Sequence, residues 1–320
     1  MAKRDTKFDS VKAVLIFLVV LGHVLQPRGD SLLNQVDVYV KELIFTFHMP
    51  LFVMISGYFT HTATSARRFW FGILEIFATF WVFQLIRMGM AGDFSLKAFL
   101  TPRYTLWYMM CLIYWRLFLR GLSHLIPTWG LFLISIALCL AAGYLPVKIL
   151  SFQRAFAFLP FFVLGKWMSE HRLFDKVGRM NIVWALVAVI VPWMLYQIIR
   201  PLSGLNLNEA LLSGKKEYLD SLGIVWRSIW LVLSVSISLG MFRLIPDRPN
   251  LARWGTATLT VYMLHPFLTR QFKYLINATG IPDDLMVNIL YSVLVMAVCL
   301  LLGKSRLVHR IINPLQLRKD

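Results

Sequence analysis

Imidazole is the side chain that changes charge near neutral pH without help from its surroundings. Three of the seven histidines in this chain, His23, His48 and His265, fall inside long apolar stretches. An ionisable group inside a membrane is costly to keep, so it is read first as part of a pathway or a reaction. His23 follows Lys12 by eleven residues. At 100° per residue that spacing returns to the same helix face within roughly 20°, with a rise of about 16 Å. A cation at one membrane surface and a titratable nitrogen directly above it could hold an anionic reagent and act on it. The plain alternative for any one imidazole is a hydrogen bond to a neighbouring backbone carbonyl. For His23 the same-face cation tips the balance toward function, because a general base needs a pKa near working pH and imidazole supplies it. Lys12 alone reads as a cytoplasmic anchor, and Asp9 with Ser10 as a helix N-cap.

The other two histidines sit beside prolines. His48 belongs to Phe47-His48-Met49-Pro50-Leu51-Phe52, followed by Ser56-Gly57-Tyr58-Phe59, and His265 to Tyr262-Met263-Leu264-His265-Pro266. Proline removes a backbone donor and exposes a carbonyl one turn earlier. Inside a membrane such a break is tolerated where protein or a watery cavity satisfies it. A packing kink explains one such segment; two with adjacent histidines favour a site lining. Trp107, Tyr108 and Arg154 fall near outer span ends, where they could hold a sugar or a charged headgroup or serve as interface anchors. Arg67 and Arg68 could neutralise phosphates, or simply keep their loop in the cytosol.

These groups need a membrane-sized scaffold, and the composition supplies one. Hydrophobic residues make up 58% of the chain and charged residues 15%, far from an ordinary soluble domain. Apolar runs at 11–26, 39–60, 69–90, 105–122, 128–147, 155–169, 181–199, 222–245, 256–276 and 285–303 predict an all-α, polytopic membrane bundle of about ten transmembrane helices. The loops are brief, so residues 1–320 are expected to form one integral-membrane unit. Counting at 1.5 Å per residue puts His23 about 18 Å from the inner face, His48 about 13 Å below the outer face and His265 about 13 Å above the inner one, so the three converge near the middle. Within the spans the only carboxylates are then Glu42 and Glu75.

The net charge of +17 suggests nucleic acid until its distribution is seen. Basic residues crowd alternate connections: Lys3, Arg4 and Lys7; Arg67 and Arg68; Arg116 and Arg120; Lys166, Arg172, Lys176 and Arg179; Arg243, Arg248 and Arg253; then Lys304, Arg306, Arg310, Arg318 and Lys319. The intervening connections hold only Arg28, Lys97, Arg103, Lys148, Arg154, Arg200, Lys215 and Lys216. That is the positive-inside pattern, and it places both termini in the cytoplasm. The start of the chain reads as an uncleaved span, since Gln26-Pro27-Arg28-Gly29-Asp30 offers no small-residue cleavage site. Gly57, Gly165 and Gly240 are expected to allow close helix packing. Cys111, Cys139 and Cys299 are expected to be buried apolar fillers, too far apart in sequence to suggest a metal site. The longest polar connection, 200–221, faces outward on this topology.

Taken in order, these segments resemble the acyltransferase-3 family of membrane proteins. Phe8-Asp9-Ser10-Val11-Lys12, ten residues and then His23 is similar to that family's Arg/Lys-x10-His signature. His48-Met49-Pro50-Leu51-Phe52 with Ser56-Gly57-Tyr58, Leu106-Trp107-Tyr108, Arg154 with Leu159-Pro160-Phe161-Phe162 and Gly165, and Tyr262-Met263-Leu264-His265-Pro266 match further motifs across nearly the whole chain. The resemblance is to the compact members, including fucose 4-O-acetylase-like proteins, which lack an appended extracytoplasmic domain. Lys12 stands where many members have arginine; it keeps the charge and loses the bidentate fork.

The resemblance implies a multi-pass enzyme of the bacterial plasma membrane that moves an acyl group, usually acetyl, from cytoplasmic acetyl-CoA to a hydroxyl of an envelope sugar, polysaccharide or lipid-linked saccharide. It implies acetyl-CoA as co-substrate and no permanently bound cofactor or metal, with Lys12, Arg67 and Arg68 at the nucleotide phosphates. The pantetheine arm would run along the Lys12–His23 face. His23 would accept the acyl group or act as base for the acceptor, while His48, Ser56, Trp107, Arg154 and His265 would line or support the acceptor side. A transporter or flippase for a lipid-linked saccharide is the main rival. It is disfavoured by the scarcity of membrane carboxylates and of any inverted repeat. A nonenzymatic scaffold leaves the clustered imidazoles unexplained, and a different lipid- or protein-acylating fold leaves the Lys12–His23 spacing unexplained.

Overall fold

The computed structural model describes residues 5–25, 32–61, 65–144, 149–202, 218, 222–279 and 284–315. Among these residues the regular structure is helical throughout, with no strand. The helices are α1 (Thr6–Val24), α2 (Leu32–Tyr58), α3 (Ala66–Ala91), α4 (Leu96–Leu100), α5 (Trp107–Leu122), α6 (Thr128–Ala141), α7 (Phe152–Glu170), α8 (Leu173–Gly178), α9 (Ile182–Leu202), α10 (Gly223–Leu244), α11 (Pro249–Gly255), α12 (Thr258–Thr279), α13 (Leu285–Leu302) and α14 (Arg306–Ile312). Each apolar run coincides with one of them. Lys3, Arg4, Arg28, Lys148, Lys215, Lys216, Arg318 and Lys319 of the charge pattern lie outside the described residues, as do 26–30 and most of the 200–221 connection.

Helix and membrane span are not the same thing. Among the described residues six segments are long and apolar enough to cross a bilayer: Gln35–Tyr58, Ala66–Ala91, Ile149–Glu170, Ile182–Arg200, Gly223–Leu244 and Leu285–Leu302. Of the others, α1 is interrupted by Lys7, Asp9 and Lys12. With 16 and 14 residues, α5 and α6 reach only about 24 and 21 Å against a hydrocarbon core of about 30 Å.

The chain divides into two compact units, Met1–Met49 with Ile245–Asp320, and Pro50–Leu244. In the first, α1 packs on α11, α12 and α13, and α12 packs on α13 and α14. The N-cap of α1 is Asp5, whose side chain accepts the Lys7 N–H at 2.9 Å. Asp9 and Ser10, expected to cap, lie buried inside the helix instead. Ser10 is spent on tertiary contact: its Oγ donates to the Arg248 carbonyl at 3.1 Å and accepts the Arg248 N–H at 3.2 Å. Lys7 Nζ donates to the Ile245 carbonyl. Gly255 then meets α1 so closely that a Cβ there would stand 1.9 Å from the Asp9 carbonyl oxygen. At the other end of α1, Leu21 and Leu25 pack with Ile44, joined by Phe17, Leu18, Val40 and Leu285.

In the second unit α5 packs between α3 and α7, α6 packs on α7, and α9 on α10. The glycines behave as expected. A Cβ on Gly57 would lie 1.9 Å from the Phe162 carbonyl oxygen, and one on Gly165 would lie 1.9 Å from the Met54 oxygen. The contact is reciprocal, each helix pressing a glycine onto the partner's backbone three residues away. Gly240 allows the same approach to Ala185 of α9. Cys111, Cys139 and Cys299 are free and buried.

Because Gly57 and Gly165 admit the same crossing, either replacement by alanine forces a carbonyl away and should cost about 2–3 kcal/mol. Once the helices have separated, the second Cβ meets less resistance. The Gly57→Ala/Gly165→Ala double variant should therefore lose less than the sum of the singles, which melting temperatures in detergent will show.

Candidate active site

His23 lies in the last turn of α1, exposed between the buried Gly22 and Val24. Its ring is 5.4 Å from that of His265, tilted by 31°. It also meets Phe45 edge-on at 6.4 Å, and Phe45 in turn meets His48 edge-on at 5.0 Å. Gly22 permits this: a Cβ there would approach the Phe45 ring to 3.0 Å. The three imidazoles thus gather in the first unit, His23 against His265 directly and His48 through an aromatic wedge. The depth arithmetic that anticipated this needs correction. Since α1 begins at Thr6, His23 is at the helix end. Since α2 begins at Leu32, His48 is about 24 Å from that helix's start.

His48 and His265 are both buried, and each places Nδ1 against the carbonyl one turn back: Ile44 at 2.6 Å and Val261 at 2.9 Å. A carbonyl can only accept, so in both rings Nδ1 carries hydrogen and the neutral ring keeps Nε2 as an acceptor. This is the backbone bond of a structural histidine. His48 therefore serves packing. Tyr262 adds a further ring at 6.1 Å from His265.

Lys12 is paired with Asp9, Nζ to Oδ1 at 3.3 Å, its side chain 25% exposed. Between Lys12 and His23 on their shared face stand Ile16 and Val19, both buried. The direct line between the pair is filled with side chains, so the arm of a thioester would not lie along it. A cavity of about 330 Å³ in this unit opens elsewhere on α1, lined among others by Ala13, Val14, Phe17, Leu251, Trp254 and Leu300. Those α1 positions are turned about 100–200° from Lys12. Sequence reading also missed an acid. Asp37, two residues before the apolar run at 39–60, is inside α2, buried, and accepts the Asn288 Nδ2 amide at 2.9 Å. The hydropathy run began after it, so only the helix's full length reveals it.

Ser56, Trp107, Arg154, Arg67 and Arg68 belong to the second unit. Ser56 Oγ donates to the Phe52 carbonyl at 3.0 Å, which leaves it to accept the Tyr108 hydroxyl at 2.6 Å. The Arg154 guanidinium lies 5.1 Å from the Trp107 ring centre, a cation–π contact, and Phe158 backs the same ring at 5.2 Å. Trp115 Nε1 donates to the Ala155 carbonyl at 2.7 Å, fixing α5 on α7 beside Arg154. Arg67 and Arg68 are exposed in the first turn of α3.

Trp107 opens α5, and the segment before it is clamped to α3. Buried Gln84 donates to the Ala98 and Thr101 carbonyls at 2.7 and 3.0 Å and accepts the Arg103 N–H at 3.1 Å. Arg87 donates to the Arg103 carbonyl at 2.9 Å and lies 5.3 Å from the Tyr104 ring centre. Hydrogen bonds from the Ser95 side chain and backbone, with the Arg103 guanidinium beside them, hold the Asp93 carboxyl below the usual carboxylate range. Gln84 and Arg87 carried a signal in the sequence, as polar residues within an apolar run. Among the described residues no cluster of three histidine, cysteine or acidic side chains could hold a metal ion.

Residues 5–304 match the family described as acyltransferase domain. A 59-residue stretch is 51% identical to nodulation protein NolL of Sinorhizobium fredii, covering 17% of this chain and 15% of that protein. A 75-residue stretch is 41% identical to nodulation protein NolL of Mesorhizobium japonicum, covering 22% and 20%. These matches thus span a fifth or less of the relatives' length. No solved structure matches.

Replacing Gln84 by alanine strands the buried Ala98 carbonyl, the Thr101 carbonyl and the Arg103 amide, at a cost of about 2–3 kcal/mol. The expected outcome is a lower melting temperature together with changed tryptophan fluorescence, as the clamp behind Trp107 opens.

Proposed function

We propose that this chain, which belongs to the acyltransferase domain family over residues 5–304, is a membrane O-acyltransferase that moves an acetyl group from cytoplasmic acetyl-CoA to a hydroxyl of a cell-envelope sugar or polysaccharide. The observation that carries the reading is His23: an exposed imidazole held against a buried one, in a chain matched by the family from residue 5 to 304. The reaction breaks the thioester C–S bond and forms a C–O bond to the acceptor. The hydroxyl proton ends on the departing CoA sulfur. His23 carries that exchange, either by accepting the acyl group on a ring nitrogen or by taking the hydroxyl proton. The thioester reaches it from its exposed side, not over Ile16 and Val19.

In this reading Lys12 is the inner-surface cation for the CoA phosphates, with Arg67 and Arg68 supplying further positive charge. Arg154 and Trp107 offer a guanidinium and an aromatic face, the pairing that suits a sugar ring, and the Ser56–Tyr108 hydroxyls extend the acceptor side. His48 and His265 support the site from behind. The enzyme resides in the bacterial plasma membrane as a multi-pass protein with both termini in the cytoplasm. No metal or bound cofactor takes part. Asp37 removes one argument against a saccharide carrier, since a buried acid is what a proton-coupled relay uses; the family decides for the enzyme.

His23→Ala should lower kcat by about a thousandfold or more while the protein still inserts. Mass spectrometry of envelope glycans should then show the acetyl mass lost; wild-type acetylation in that variant would remove the assignment. Lys12→Ala should raise the KM for acetyl-CoA about tenfold with little change in kcat, the signature of a lost phosphate contact.

A further inference from the structure

We propose that Arg116 and Arg120 of α5, with Arg68 of α3, form a binding site for a phosphate group, carried by a nucleotide or by an anionic lipid headgroup. The inference starts from a buried donor. Nε of Arg116 is buried and meets no hydrogen-bond acceptor among the described residues. A guanidinium stays protonated at any working pH, so it cannot relieve its burial by losing the proton, as a buried lysine can. Holding such a donor out of water without an acceptor is costly. That cost points to an anion that arrives from outside the fold.

Two more guanidiniums gather at the same place. Arg116 and Arg120 are four residues apart and so share one face of α5. That face meets the start of α3. Arg120 lies 5.3 Å from the Phe69 ring centre, and a Cβ on Gly72 would stand 3.6 Å from Arg116 Nη1. Gly72 has no side chain, so α3 leaves room beside the guanidinium. Arg68, one turn earlier, is turned only about 40° from Gly72 and projects toward the same side. Together α3 and α5 carry a single acid, Glu75, whose charge reaches Arg116. Three cations against one carboxylate leave an excess of two positive charges, which matches a phosphate monoester.

Retention of a loop in the cytosol accounts for the presence of basic residues here but not for their placement. A retention anchor lays its stem along apolar surface and keeps its charge in water. Arg67 and Arg68, exposed in the first turn of α3, fit that description. Arg116 does not, because the head of its side chain turns inward and buries Nε. The negative end of the helix dipole favours Arg120, in the last turn of α5, but Arg116 lies one turn deeper, beyond that effect. Like charges one turn apart repel, and a shared anion removes the repulsion. Planar forks on successive turns suit the several oxygens of one phosphate.

The test uses the full-length protein in phosphatidylcholine nanodiscs, titrated with coenzyme A and with pyrophosphate, and a second set of nanodiscs containing phosphatidylglycerol. We expect Arg116→Gln and Arg120→Gln each to weaken phosphate binding about tenfold or more, with Arg116→Lys between them and wild type. A loss of affinity for coenzyme A or pyrophosphate identifies a nucleotide as the source. Loss of the melting-temperature rise given by phosphatidylglycerol identifies a lipid headgroup. In phosphatidylcholine alone, Arg116→Gln should melt at or above the wild-type temperature, because a buried charge without an acceptor has been removed. The proposal is overturned if wild type responds to none of the three probes, or if neither glutamine variant changes any response. It is also overturned if Arg116→Gln melts well below wild type in neutral lipid, since the guanidinium then serves the fold. The nucleotide arm rests on the reading of the chain as a user of acetyl-CoA. A wild-type protein that ignores coenzyme A sinks that reading, while the phosphatidylglycerol arm still decides on the arginines.

Discussion

The contact between Gly255 and the Asp9 carbonyl governs where the imidazole of α1 can be. A helix of nineteen residues is a rigid lever about 28 Å long, and a small change in how its foot is seated swings its far end by several ångströms. Here the foot is held backbone to backbone, with Ser10 bonded twice to Arg248 and Lys7 to Ile245. From that crossing α1 climbs fourteen residues to His23, while α12 begins at Thr258 and reaches His265 seven residues later. Ring contact between residues 242 positions apart in sequence follows from one close approach of two main chains.

The site is then organised by unequal exposure. His48 and His265 satisfy their Nδ1 hydrogens on their own helices and stay buried. His23 alone of the three is exposed. Phe45 separates His48 from His23, so the cluster is one exposed ring with one ring against it and a third held off by a phenyl group. In the second unit the same economy appears with different chemistry. Arg154, Trp107, Ser56 and Tyr108 engage one another in pairs, and the segment leading to Trp107 is held by side chains of α3 that satisfy its main-chain groups.

Much of this was legible in the residues. Apolar runs located the helices because burial in lipid or protein demands apolar surface in either case. The same fact limits what hydropathy can say of spans: it does not say which apolar helix crosses a bilayer and which packs within protein. Gly57, Gly165 and Gly240 announced close packing because no other residue fits there. The misreadings cluster where a polar side chain serves a distant partner. Asp9 and Ser10 have the composition of a cap, yet the cap is Asp5 and they are buried in tertiary contact. Asp37 pairs with Asn288. Buried Arg227 donates to the Cys139 carbonyl at 2.9 Å and lies 4.9 Å from the Tyr218 ring centre. No local pattern encodes such pairings, since nothing in a helical period names the loop or helix a side chain will meet.

If Lys12 receives the nucleotide as proposed, its ion pair with Asp9 has a consequence for turnover. An anion arriving at Lys12 enters as a competitor: it must displace a carboxylate tethered one helical turn away, at high effective concentration and always ready to return. Affinity for the incoming group is discounted by that rivalry, and so is the affinity for whatever nucleotide remains after the acyl group has gone. A cation with a built-in counterion captures reversibly and lets go readily, which is what a repeated cycle at a membrane surface requires.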